Sequence, residues 1–160
     1  MLVRPTKGTL MSYMSTPEPN PAIPKGLDRC EHETVRTELE ISTLCDRLSA
    51  SMIAAGFSNR DIFAVRLAVE EAVMNAIKHG HQGDPGKTVR VGYHLESDCI
   101  VIKVEDEGPG FDPGEVADPL SPDNLDRSTG RGLRLMRHFM TWIKHNPRGN
   151  RVCMCKCRSC

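Results

Sequence analysis

A chain of 160 residues suits one domain with a tail, and a domain of that size buries roughly two-thirds of the surface its unfolded chain exposes. Lysine and arginine number 21 and aspartate and glutamate 21, so the formal net charge is zero, and neither nucleic acid nor an anionic membrane surface is an expected partner. No apolar run reaches the ~18 residues of a membrane span. The seven cysteines lack the spacing of a secreted disulfide framework, so reduced thiols and a cytoplasmic location are expected.

Residues 1–27 hold Pro17, Pro19, Pro21 and Pro24 among small polar residues, with no periodic apolar pattern. They read as a disordered tail ahead of a single domain at 28–160. Glu33 to Glu40 alternates weakly, as an edge strand would. From Ser42 the pattern turns helical, with Leu44, Leu48, Met52 and Ile53 on one side and Gly56 as C-cap. Ser58 and Asp61 resemble a capping-box start for a second helix running to Gly80, with His81 to Gly86 as a turn-rich exit. Thr88 to Glu96 and Cys99 to Glu105 alternate on either side of Ser97-Asp98 and read as a hairpin. Glu107 to Thr129, rich in Gly, Pro and Asp, is too long for a passive connection and reads as a lid or binding loop. Gly130 to Met140 is again helical, and strands at Thr141 to His145 and Arg151 to Cys157 flank a turn. The order predicts an α+β two-layer sandwich: one mixed, mainly antiparallel sheet with helices on one face.

The second helix carries the most informative residues. Glu71 and Asn75 stand four apart and Lys78 follows, so helical geometry stacks a carboxylate, a carboxamide and an ammonium on one stripe. Phe63, Val69, Val73, Ile77 and several alanines supply an apolar back to bury. Any such polar pair alone would be only a solvated face. Further on, Asp106 opens D-E-G-P-G; its ionised carboxylate is acceptor-only and suits an exocyclic amine such as that of adenine. Gly108 and Gly110 clear side chains where a flat ring or a phosphate would approach. T-G-R-G-L, from Thr129 to Leu133, opens a helix whose free N–H groups favour an anion.

Taken together, E-x-x-x-N on a helix, D-x-G-x-G 31 residues after the Asn, and G-x-G-L 20 residues after Gly110 resemble the ATP-binding (Bergerat) fold of the GHKL superfamily. Within it, E-E-A-V-M-N-A-I-K-H-G, D-E-G-P-G-F-D-P and G-R-G-L-R-L-M look most like the bacterial anti-sigma-factor serine/threonine kinases, over about residues 30–157. The resemblance implies ATP and Mg²⁺ as cofactors. It implies Asn75 as the magnesium ligand, for which an amide oxygen is a suitable hard donor, and Glu71 as the general base. Asp106 matches the adenine-reading aspartate, Gly108 and Gly110 the turn beneath the base, and Gly130 and Gly132 the hinge of a lid over the phosphates. Lys78, Thr129 and Arg131 are further candidates for nucleotide contacts. The family often has Gly-Thr before its last strand, where this chain has Gly149-Asn150, whose amide could replace the threonine's hydrogen bond.

By the same resemblance the protein substrate is a small anti-anti-sigma-type antagonist with an acceptor serine, a sigma factor is a second partner, and a homodimer fits. Two other functions remain open: nucleotide-responsive sequestration without phosphotransfer, and a stand-alone histidine-kinase-like catalytic domain. The alternation of Cys153, Cys155 and Cys157 places them on one strand face as small buried hydrophobes. Cys157 and Cys160 make a C-x-x-C with no second pair at zinc-site spacing.

Overall fold

The computed structural model describes residues 30, 32–82, 84–112 and 128–159, and in 128–131 the backbone only. The expected N-terminal tail and most of the expected lid loop lie outside the described residues. Five strands, β1 (His32–Val35), β2 (Val89–Leu95), β3 (Cys99–Asp106), β4 (Trp142–His145) and β5 (Arg151–Cys157), form one sheet in the order β1-β2-β3-β5-β4. All four pairings are antiparallel, so the mixed sheet expected from the sequence narrows to a wholly antiparallel one among the described strands. Among the described residues three α-helices, α1 (Glu38–Ala54), α2 (Asn59–Asn75) and α3 (Ser128–Phe139), accompany the sheet.

The first strand is shorter than expected and α1 begins earlier. Thr37 caps it: its side chain accepts from the Glu40 N–H while the Glu40 carboxylate takes the Thr37 N–H, a capping box that ends β1 at Val35. At the other end Phe57 N–H reaches Met52 O and Gly56 N–H reaches Ile53 O, with Gly56 at φ +80°, a Schellman close at the expected residue.

Alternation along the strands divides the sheet's two faces. Val89, Val91, Ile100, Ile102, Val104, Val152 and Met154 turn toward the helices and pack with Leu44, Leu48, Met52, Val65, Val69 and Val73 into the main core. Full burial of an aliphatic side chain contributes about 1.5–3 kcal/mol, so this contact fixes α2 against the strands. Phe63, expected on the buried back of α2, is instead 59% exposed, with its ring edge-on to Phe139 at a centroid separation of 6.2 Å. Ile53 is likewise exposed rather than buried. The opposite face carries Val101, Cys153 and Cys155, with Cys30, Cys99, Trp142 and Cys157 beside them.

The start of α2 is held from the far end of the chain. Ser58 is its N-cap, accepting from Asp61 N–H. Asp61 is fully buried and accepts from the Ser58 hydroxyl (2.8 Å), the Ser159 N–H (3.0 Å) and the Ser159 hydroxyl (2.6 Å), with Lys156 Nζ 3.4 Å away. Burial alone would raise its pKa, yet these donors outweigh it and hold the carboxyl at about 2. The last residues of the chain thus fasten the first turn of the helix that carries Glu71 and Asn75.

Candidate active site

The helical hydrogen-bond ladder changes pitch immediately after Asn75. Ala76–Gly80 is a π-helical turn, closed by His81 N–H on Ala76 O at 3.2 Å, so the continuous helix expected through Gly80 ends as α-helix at Asn75. The wider turn breaks the i, i+4 stripe at Lys78, which stands exposed beyond it, as does His79. Glu71 and Asn75, still on regular helix and half-buried, keep their common face.

Gly132, buried in α3, is pressed against both. A Cβ built there would collide with Glu71 Oε2 and lie 3.4 Å from Asn75 Nδ2. Two segments far apart in sequence therefore meet with a carboxylate, a carboxamide and bare backbone in contact. α3 opens at Ser128 rather than at Gly130, so Thr129, Gly130 and Arg131 lie within its first turn, where only the backbone is described. Gly130 and Gly132 consequently both fall within α3.

At the end of β3, Asp106 is set by three hydrogen bonds. Its Oδ1 accepts from Gly108 N–H at 2.7 Å, its N–H donates to Asn150 O at 3.0 Å, and its carbonyl accepts from Asn150 Nδ2 at 2.9 Å. Gly80 packs directly on this carboxylate, and Gly108 lies against Gly80 in turn, so a methyl group at either would strike the other segment. Burial pushes the Asp106 carboxyl above the usual range, against the pull of Gly108 N–H, His81, Arg148 and Lys87. A half-buried acceptor with one oxygen committed to Gly108 has acceptor capacity left for a ligand's N–H.

The turn between β4 and β5 forms the support. Gly110 at φ +80° and Gly149 at φ +75° cross so closely that a side chain on either would overlap backbone of the other loop. Arg148 donates to Gly108 O at 2.9 Å, and Asn146 Nδ2 donates to Asn150 Oδ1 at 2.8 Å. The Asn150 amide is thus engaged with Asp106 and Asn146; it positions the aspartate from below. Sequence reasoning singled out Asn150 as a substitute for the family's threonine rather than as this support, and passed over His81, which is 6% exposed with Nε2 free of any partner among the described residues. A His-Gln-Gly-Asp-Pro turn carries no signal that its first residue is buried beside Asp106.

An acid–amide helix face closed by a glycine of another segment, with a half-buried aspartate at the sheet end beyond the π-helical turn, is the arrangement expected of a GHKL-type fold. Residues 35–156 match the model of the histidine kinase-like ATPase domain, and the chain belongs to that family. The chain is 34% identical over 106 residues to the serine-protein kinase RsbW of Listeria innocua, covering 61% of this chain and 68% of that protein. It is 36% identical over 87 residues to the anti-sigma F factor of Bacillus cytotoxicus, covering 52% and 59%. The crystal structure of the RsbU and RsbW domains of Rv1364c from Mycobacterium tuberculosis superposes with a TM-score of 0.52 at 17% identity, over 80% of this chain and 32% of that one; this likeness concerns the fold alone. Among the described residues no helix is long and apolar enough to cross a membrane.

Proposed function

We propose that the chain is an ATP-dependent serine/threonine protein kinase of the anti-sigma-factor type. It transfers the γ-phosphoryl group of ATP to a hydroxyl of a small anti-anti-sigma-type antagonist. The observation that carries this reading is the contact of Gly132 with Glu71 and Asn75, with Asp106 beyond Gly80 in the same turn region. Glu71 accepts the proton of the attacking hydroxyl as its oxygen bonds to the γ-phosphorus and the bond to the leaving ADP oxygen breaks. Asp106 accepts from the adenine amine, and Gly108 and Gly110 shape the turn beside it by packing on Gly80 and on the β4–β5 turn. Asn75 offers a carboxamide oxygen beside the Glu71 carboxylate, and oxygen donors of this kind fit a hard cation. Bound Mg²⁺ would offset phosphate charge during transfer.

Thr129, Gly130 and Arg131, in the first turn of α3, are proposed phosphate contacts, and Lys78 is a peripheral one. A sigma factor as sequestered partner and a homodimeric assembly are part of this proposal, supported by the similarity to an anti-sigma F factor. A cytoplasmic location, where ATP is available, is part of the same proposal. Incubating the chain with γ-labelled ATP and a candidate antagonist tests the proposal. Acid-stable label on the antagonist is expected; an unlabelled antagonist would leave a nucleotide-responsive binder, and acid-labile label would indicate phosphohistidine.

A further inference from the structure

The sheet face turned away from the helices carries sulfur chemistry that the nucleotide site does not use. Cys99, at the start of β3, lies directly opposite Cys157 at the end of β5. The two form a disulfide, their Cα atoms 4.1 Å apart across a separation of 58 residues, which corrects the expectation that all thiols are reduced. Cys155 Sγ stands 3.9 Å from Cys157 Sγ, and the three sulfurs lie within 4.8 Å of one another. Cys155 is buried, and its thiol is pushed up to about 11, by burial first and then by the Glu96 carboxylate. A buried, protonated thiol is a poor nucleophile and a poor metal ligand, whereas Cys99 and Cys157 are partly open to solvent. The geometry therefore favours chemistry between the outer two sulfurs over a three-thiolate metal site.

The position of Cys157 gives that chemistry a consequence. Lys156 and Ser159 on either side hold the buried Asp61 in the first turn of α2. Arg158 donates to Asp98 Oδ1 at 3.0 Å in the β2–β3 turn and to Ala55 O at 3.4 Å at the end of α1. Cys157 N–H donates to the Thr141 hydroxyl at 2.9 Å. A bond from Cys157 to β3 pins the segment that fastens α2. Where the surroundings are reducing, disulfides that do form are transient and redox-sensing rather than permanent.

We propose that Cys99 and Cys157 are a reversible oxidant-sensing pair whose disulfide locks the C-terminal segment onto the first turn of α2, the helix that presents Glu71 and Asn75. The oxidant is of the peroxide class. Two thiols give up two protons and two electrons, the O–O bond of hydrogen peroxide breaks to yield two waters, and one S–S bond forms. A small dithiol reverses the step by exchange and leaves as its own disulfide.

The test is peptide mapping and amide hydrogen exchange on the full chain, reduced with a dithiol and then treated with hydrogen peroxide. Oxidation is expected to link Cys99 to Cys157 and to slow exchange at residues 59–66 by about tenfold, with reversal on reduction. Cys99→Ser and Cys157→Ser, which approach the bond from opposite strands, should each exchange like the reduced protein with and without peroxide. Cys155→Ser should keep the oxidised response. Bonding of peroxide-treated protein through other cysteines, or unchanged exchange at 59–66, would overturn the proposal. So would one zinc ion per reduced chain that is lost in Cys155→Ser, because the cluster would then be a metal site.

Discussion

Replacing Asp106 with Asn reverses the polarity of one hydrogen bond without changing shape. Gly108 N–H holds Oδ1 at 2.7 Å, and Asn can satisfy it with its own oxygen. The atom left facing a ligand is then an NH₂ group, a donor where a carboxylate oxygen stood. An adenine amine would lose a charge-assisted bond of about 1.5–3 kcal/mol, which weakens ATP binding roughly tenfold to a hundredfold. Inosine triphosphate, with a carbonyl at that ring position, should lose less or gain. Stability should move the other way. Burial raises the folded pKa of Asp106 above the ordinary 3.8, so the aspartate's contribution is full below pH 3.8 and is lost as pH rises through the folded value. Asn carries no such penalty, and at neutral pH the variant should melt at or above the wild-type temperature. Calorimetric titration with both nucleotides, paired with thermal melts across pH, tests this. Wild-type ATP affinity in Asp106→Asn would refute the reasoning.

Gly132→Ala places a methyl group on Glu71 Oε2, so phosphotransfer should fall at least about tenfold even though alanine in a helix is favoured over glycine by about 1 kcal/mol; kinetic assay and melts separate the two effects. Glu71→Gln should retain nucleotide and lose transfer, whereas Asn75→Ala should lose magnesium-dependent nucleotide affinity; titrations with and without Mg²⁺ read both. Asp61→Asn should cost on the order of 2 kcal/mol at neutral pH. Because its folded pKa is depressed to about 2, wild-type stability should decline as pH falls from about 4 toward 2 while the variant's stays flatter in denaturant melts over that window.

Much of the architecture was legible because apolar periodicity and turn chemistry agree in this chain. The β2–β3 hairpin, its Ser97-Asp98 turn, β5 and the Gly56 cap fall where alternation and glycine place them. The start of α1 was misread although Thr37-Glu38-Leu39-Glu40 spells a capping box; weak alternation in the preceding residues masked it. Phe63 misled for a different reason: the buried stripe of α2 runs through Asp61, Ala64, Val65, Ala68, Val69, Ala72 and Val73, and residue 63 lies off it. At the site, the motifs located Glu71, Asn75, Asp106 and Gly132, whose contacts depend on residues meeting across long separations. The π-helical turn, the burial of His81 and the Asn146–Asn150 support left no local signature, since each is imposed by tertiary packing. Cys99 pairs with Cys157 across two strands, which spacing within a C-x-x-C search cannot reveal.

The most direct test of the central claim is a crystal structure of the chain with a non-hydrolysable ATP analogue and Mg²⁺. The account predicts one nucleotide between α2, the end of β3 and the start of α3, its adenine amine within hydrogen-bonding distance of Asp106 and the ion on the Asn75 carboxamide. An ordered nucleotide bound elsewhere, with Asp106 and Asn75 both out of its reach, would contradict it.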